Sequence, residues 1–382
     1  MTVRPDAEAL LELVARGGRP GRQAAAGADL LRSVGPGEAR RRKRDDARLA
    51  ALTGDGRRPG YTRMWREAAA EIGAASVDVG GGFLEIRRDG QSTRVWNNWV
   101  GLDDIVTLRF AEDKTRAHAL LTAAGLPVPE HVRFPLDDLS PGLSFLARIG
   151  GPCVLKPVSS AGGSGTTSGV RTERQLRRAR LRAGRQHRAL LLERQVPGDV
   201  LRFLFHDGEL LDVIRRRPPS VTGDGRSSIS SLIAAENERR FSAAAGERPW
   251  PLRADLDAIF TLESAGMNLA SVPTAGVRVA VKTAVSQNGP ADNESILDLV
   301  AEELAAEAAL AARLVGVRLA GVDVITSDPT VSLARGSGVI LEVNATPGLH
   351  YHYEVRDPQR AVPVAALVLR RLLARAEAPT LA

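Results

Sequence analysis

From Tyr61 onward the chain alternates short apolar runs of β character with stretches that carry a helical apolar stripe, and glycine or proline punctuates most junctions. That alternation commits the sequence to layered sheet and helix, an α/β or α+β architecture, because a side-chain period of two and one of 3.6 cannot replace each other. A helix is predicted at Met64–Ile72. After it, FLEIRR and STRVWNNW flank Asp89-Gly90, a dipeptide that suits a tight hairpin turn. In EDKTRAHALLTAAGLPVPEHV the stripe Leu120, Leu121 and Ala124 predicts a helix that Gly125 and Pro127 terminate. PCVLKP and ALLLERQV read as strands on either side of a helix over Glu173–Gly184, and VLRFLFH and ELLDVIRR as a second hairpin around Asp207-Gly208. A long Ala-rich helix is expected at Ile296–Leu314, LAGVDVIT and GVILEVNA as paired strands, and an amphipathic helix packing on the outside at Val362–Arg375.

The chain has 382 residues, enough for two or three folded units and a large core. Its charge is lopsided. Lys and Arg number 52 against 45 acids, which raises nucleic acid, an anionic membrane or a phosphorylated ligand as partners. Residues 1–60 hold thirteen basic residues against eight acids, so five of the seven net charges lie there. Arg40–Arg44 reads either as a nucleic-acid or localisation patch or, with Asp45 and Asp46 beside it, as a solvated helix face. These sixty residues contain no Trp, Tyr or Phe on which bases could stack, which argues against nucleic acid. A single cysteine, Cys153, excludes disulfide frameworks and cysteine zinc sites, and reads as a small core residue. With no signal-like start and no apolar run of the roughly 20 residues that a membrane helix needs, the chain is expected to be soluble and cytoplasmic.

Only four of the 52 basic residues are lysines: Lys43, Lys114, Lys156 and Lys282. A chain that uses arginine so heavily gives each surviving lysine a claim to a chemical reason. Lys156 ends an apolar strand and opens the loop PVSSAGGSGTTSGV, which has no bulky side chain and lets backbone amides approach an anion, commonly phosphate. It matches neither the P-loop nor the dinucleotide-fold spacing. Lys114 stands at a helix N-terminus, where a cation is disfavoured unless an anion is near; a phosphate or a salt bridge to Asp113 or Glu112 would supply one.

Asp323 and Glu342 interrupt apolar β runs, where an unpaired carboxylate is costly. On adjacent antiparallel strands, Asp323, Glu342 and Asn344 can share a face, and three such oxygen donors suit Mg²⁺. His350 and His352 follow the Pro347-Gly348 turn and read as acceptor-pocket or structural residues.

These motifs, in this order, resemble the ATP-grasp superfamily and within it the carboxylate–amine ligases, most closely the ATP-grasp portion of cyanophycin synthetases. The resemblance runs over about 60% of the chain, from Asp113 to His350, through GLPVPEH, VLKP with its glycine loop, LLLERQVPG, GDG with Ile229, Leu232 and Asn237, SVP with Lys282, AGVDVIT and LEVNATPGLHYH. It implies an N-terminal domain followed by two α+β subdomains that clasp ATP between them. The implied boundaries are a basic, partly irregular segment 1–60, a preceding domain 61–112, a small subdomain with a glycine-rich lid 113–202, and a C-terminal subdomain 203–382 with the metal site and the final helix.

By the same resemblance, Lys114 and Lys156 contact ATP phosphates, and the loop that includes Ser160, Gly162, Gly163 and Ser164 is the lid. Glu193, Arg194, Gln195 and Val196 form the hinge whose backbone reads adenine. The family's ribose-binding acid falls on Val200, so Asp199, one position earlier, is the nearest candidate. Arg202, Arg216 and Lys282 take basic positions near the transferred phosphate or the substrate carboxylate, and Asp323, Glu342 and Asn344 take those of the Mg²⁺ ligands, with Mn²⁺ as a substitute. The implied reaction activates a carboxylate as an acyl phosphate and joins it to an amine, both small amino-acid or peptide-like substrates, in a protein for which a homodimer is one assembly. Cyanophycin synthetase carries a further Mur-ligase-like half, and the end at Ala382 argues against a self-contained polymerase. SQNGPADNE is degenerate against the family's glycine-rich equivalent, which implies a rebuilt acceptor pocket. A catalytically inactive ATP-binding module is the competing reading, and the complete set of lysines, acids and Asn344 argues against it.

Overall fold

The computed structural model describes residues 18–53, 60–160, 162–243 and 249–374. It opens with helix α1 (Gly18–Thr53), interrupted at Gly35, where φ 78° and ψ 164° leave helical space just before Pro36. Proline has no N–H to continue the ladder, so the break falls where the sequence forces it. Helix α2 (Tyr61–Glu71) leads into an antiparallel sheet of β1 (Ala75–Asp78), β2 (Phe83–Arg88), β3 (Gln91–Trp96) and β4 (Trp99–Val100), in that spatial order. Asp89 and Gly90 both adopt positive φ, as the expected two-residue turn demands. Helices α3 (Ile105–Glu112) and α4 (Lys114–Ala123) meet at Asp113, whose carboxylate caps α4 by accepting from the amides of Thr115 and Arg116.

A second antiparallel sheet follows, built from β5 (His131–Pro135), β6 (Cys153–Pro157), β7 (Thr167–Val170) and β8 (Ala189–Arg194), in the order β5-β8-β6-β7. Helices α5 (Ser140–Ile149) and α6 (Glu173–Ala183) pack on it through Phe145, Leu146, Leu176 and Ala179. The largest sheet starts with the hairpin β9 (Asp199–His206) and β10 (Glu209–Arg216). Then come β11 (Ser220–Thr222), α7 (Ile229–Ser242), α8 (Leu256–Ser264), β12 (Arg278–Ala280), β13 (Asn293–Ser295), α9 (Glu302–Val315), β14 (Leu319–Thr326), β15 (Val339–Asn344) and α10 (Val364–Ala374). Five of these strands join in the antiparallel order β13-β10-β9-β14-β15, while β11 and β12 form a separate ribbon. Fold class is as the sequence implied.

Several expectations change. The segment 1–60 is helical over Gly18–Thr53 rather than partly irregular, and the remainder of it lies outside the described residues. Its apolar periodicity is weak because α1 is held largely by polar pairing: Asp29 and Ser33 bind Arg178 on α6, while Asp45 binds Asn237 and Arg48 binds Glu238 on α7. The Arg40–Arg44 run joins this docking, with Arg41 on Ser230 and Arg44 on Glu238. The Ala-rich helix starts at Glu302 rather than Ile296, because Asn293–Ser295 is drawn into the sheet beside β10 and Ile296 donates to the carbonyl of Val213.

The final helix is amphipathic and packs as expected, with Arg370 and Ala374 exposed and the opposite face buried. Val364, Ala365, Ala366, Val368 and Leu369 of α10 are fully buried in one core with Trp65 of α2, Leu84 and Ile86 of β2, and Leu204, Leu211 and Leu319 of the large sheet. The expected split between 61–112 and 203–382 therefore runs through a shared core, and the expected boundary at 202 falls inside β9. Replacing Leu369 by Ala should cost about 2–5 kcal/mol in urea unfolding. Arg370→Ala, on the exposed face of the same helix, should cost under about 0.5 kcal/mol.

Candidate active site

The large sheet sets the site's register. β9 pairs with β14 so that Arg202 faces Asp323, and β14 pairs with β15 so that Asp323 faces Glu342. Arg202 closes on Asp323 with both arms of its guanidinium, Nε to Oδ1 at 2.5 Å and Nη2 to Oδ2 at 2.7 Å. Asn344, two residues beyond Glu342 and on the same face, donates to Glu342 Oε1 at 3.3 Å and lies 3.4 Å from Asp323 Oδ2. Asp323, Glu342 and Asn344 thus converge, as expected for a shared face.

Cations surround this group. Lys114 reaches from the start of α4 to Glu342 Oε2 at 3.3 Å and to the carbonyl of Ser160 at 3.4 Å. Neither Asp113 nor Glu112 takes it, because Asp113 is occupied as the α4 cap. Lys156 on β6 pairs with Glu193 on neighbouring β8 at 2.7 Å, with both side chains buried. Burial alone would raise the Glu342 carboxyl, but Lys114 first and then Lys156 hold it below the usual carboxylate range. Burial pushes Asp323 upward, Arg202 opposes that, and the Glu342 charge adds to it. Arg202, which burial alone would lower, is raised above its ordinary value by Asp323. Arg216 on β10 is close enough to act on Asp323; it donates to the carbonyl of Val285 at 3.1 Å, and its guanidinium lies 4.0 Å from the centre of the Tyr351 ring.

The glycine loop sits against the segment that carries Val285. Gly163, at φ 68°, lies so near Ser286 that an added Cβ would come within 2.7 Å of its Oγ, so glycine permits the approach. Gly162 also has positive φ, and Ser164 is exposed. Behind the loop, buried Asp257 accepts from the amide of Ser168 at 2.9 Å and from that of Ala284 at 3.1 Å, tying β7 to the Val285 segment.

Other expected residues are placed differently. Lys282 is set apart from the Arg202 and Arg216 group: buried, it binds Asp255 at 2.8 Å and Gln287 at 3.3 Å, and Asp255 also binds Arg182. At the hinge, Arg194 donates its amide to the carbonyl of Glu130 and Gln195 donates to Pro152, so these two amides serve the fold. The Gln195 side chain accepts from Gly169, and Glu193 is spent on Lys156; Val196 is half-buried beside them. Asp199, exposed at the start of β9, pairs with Arg215 at 3.0 Å.

Three residues here were not singled out from the sequence: Asp255, Asp257 and Tyr351. The two acids lie among Ala254, Leu256 and Ala258, so the reasoning that selected Asp323 and Glu342 would have reached them. Tyr351 carries no such signal. Cys153 is a core residue as expected, its thiol pushed up to about 11 by burial.

No family model matches the chain. Cyanophycin synthetase of Trichormus variabilis is 30% identical over 262 residues, which is 68% of this chain and 28% of that protein. Cyanophycin synthetase of Synechocystis sp. is 33% identical over 277 residues, 70% of this chain and 31% of the relative. The crystal structure of a bifunctional glutathione synthetase from Pasteurella multocida superposes over 82% of this chain and 43% of its own, with a TM-score of 0.53 at 22% identity. The chain has the ATP-grasp fold. It spans under a third of the length of those two relatives. The candidate site rests on ion pairs of different burial. Glu193→Gln, which strands a buried lysine, should cost on the order of 3 kcal/mol in urea unfolding. Asp199→Asn, on an exposed pair, should cost under about 1 kcal/mol.

Proposed function

We propose that the chain is an ATP-dependent carboxylate–amine ligase that works through an acyl phosphate. One observation carries the reading: Arg202 is paired with Asp323 and Lys114 with Glu342, and these two carboxylates adjoin each other across β14 and β15. With Lys156 close enough to bear on Glu342 and Arg216 on Asp323, and with Asn344 and a glycine loop beside them, the arrangement suits a polyanion that arrives with its own cation. The donor set fits Mg²⁺ or Mn²⁺, since carboxylate and amide oxygens are hard ligands, and Asp323, Glu342 and Asn344 would hold it. Bound there, the ion would neutralise phosphate charge.

Activation requires a substrate carboxylate oxygen to attack the γ-phosphorus as the bond to the β,γ-bridging oxygen breaks and ADP leaves. Lys114 and Lys156 exchange their carboxylate partners for phosphate oxygens, while Arg216 and Arg202 stabilise the group in transfer. In the second step the amine nitrogen attacks the acyl carbon, inorganic phosphate departs, and the nitrogen releases a proton to yield the amide. The Gly162–Gly165 loop, drawn against Ser286, shields the acyl phosphate from water. Lys282 acts indirectly, by holding the segment through Gln287 that brings Val285 to Arg216. Acid and amine are amino-acid or peptide-like, in keeping with relatives named cyanophycin synthetase and a structural neighbour named glutathione synthetase.

The test is release of ADP and phosphate from Mg-ATP across a panel of amino acids and short peptides supplied as acid and amine, with mass spectrometry of the products. Release of AMP would overturn the acyl-phosphate route, and nucleotide binding without turnover on any pair would leave a binding module. Glu342→Gln and Lys114→Met should each lower turnover by about 10²–10³-fold with an unchanged circular dichroism spectrum.

A further inference from the structure

The short turn Leu349–His352 lies on β10, the strand that carries Arg216. His352 Nδ1 and Asp212 Oδ2 are 2.7 Å apart, and both side chains are wholly buried. Asp212 is fixed in turn by the amide of Val213 at 2.8 Å, with Ser295 Oγ 3.4 Å away. Asp212 and Arg216 are four residues apart on one strand and so share a face. One residue before His352, Tyr351 is half-buried with its ring beneath the Arg216 guanidinium, and its phenol is close enough to bear on Arg202 as well. On the other side, His350 Nδ1 is 2.8 Å from the hydroxyl of Tyr61 on α2, and the His350 and Tyr351 rings are 3.9 Å apart. Gly348 permits this crowding, since a Cβ there would come within 2.7 Å of the His350 ring and 3.0 Å of the Tyr351 ring.

Burying an Asp–His pair is costly unless its bonds are complete, and His352 Nε2 is buried with no hydrogen-bond partner among the described residues. An apolar pair would fill the same space at lower cost, so the pair's worth lies in orientation. A carboxylate that accepts from Nδ1 fixes the plane of the imidazole, and with it the backbone that presents the next ring.

We propose that His352, seated on Asp212, is a positioning residue that sets Tyr351 beneath Arg216 and so fixes the guanidinium for the transferred phosphate. The proposal rests on the reading of Arg216 as a cation for the γ-phosphate. Asparagine places its amide nitrogen where the imidazole has Nδ1 and can still donate to Asp212; leucine cannot.

The experiment compares Mg-AMPPNP with Mg-ADP by isothermal titration calorimetry, which isolates the γ-phosphate contribution without any acid or amine. Wild type should bind AMPPNP more tightly, and Arg216→Ala should remove the preference. His352→Leu should lower AMPPNP affinity at least tenfold with ADP affinity within twofold, and His352→Asn should stay within threefold of wild type for both. Tyr351→Leu, at a half-buried position, should reproduce the AMPPNP loss and carries the test if His352→Leu does not fold. If Arg216→Ala loses the preference while His352→Leu or Tyr351→Leu keeps it, the positioning role is overturned. The same holds if ADP affinity falls in parallel. If wild type shows no preference, or Arg216→Ala retains it, the γ-phosphate reading of Arg216 falls and takes the proposal with it.

Discussion

Arg202 and Asp323 face each other across β9 and β14, and the architecture of the site depends on that buried pair. Desolvating a guanidinium and a carboxylate costs several kcal/mol, and the attraction between them offsets this only when both arms are engaged, as they are here. Around this anchor each neighbouring strand supplies one more charge: β15 brings Glu342 and β10 brings Arg216. Since facing residues in a pleated sheet have fixed separations, one correct register brings four charged side chains together.

The same economy recurs at the lid side. Lys156 and Glu193 neutralise each other on adjacent strands, and Lys114 leans on Glu342. Such pairing satisfies both lysines inside the protein without any ligand. Asp257, which spans β7 and the Val285 segment through backbone amides alone, links the loop that would cover phosphate to the segment that holds Arg216.

Much of the fold was legible because strands and hairpins announce themselves locally. Asp89-Gly90 and Asp207-Gly208 take the positive φ that their turns need, and the apolar runs around them form the expected hairpins. What the sequence hid was tertiary. Helix α1 has little apolar stripe because polar contacts to α6 and α7 hold it, and the register of α9 is set by a strand pairing that no local pattern announces. In the site, acids within apolar runs were readable, since burial makes a carboxylate conspicuous; that the lone lysine of the SVP region would pair with Asp255 was not, because the partner is 27 residues away in sequence. Tyr351 was invisible for a related reason: its significance comes from the guanidinium above it.

The break in α1 also has a mechanical meaning. Contacts from Arg22, Asp29 and Ser33 go to α6 and the turn after it, which belong with the sheet that carries the glycine loop. Contacts from Arg41, Asp45 and Arg48 go to α7. Gly35 lies between the two sets, so each half of α1 is fastened to a different helix. A shift of α6 against α7 would be taken up as bending at that glycine, with both fastenings intact. Helix α1 thus acts as a jointed tie between α6 and α7, with Arg32, Arg40 and Lys43 left facing solvent.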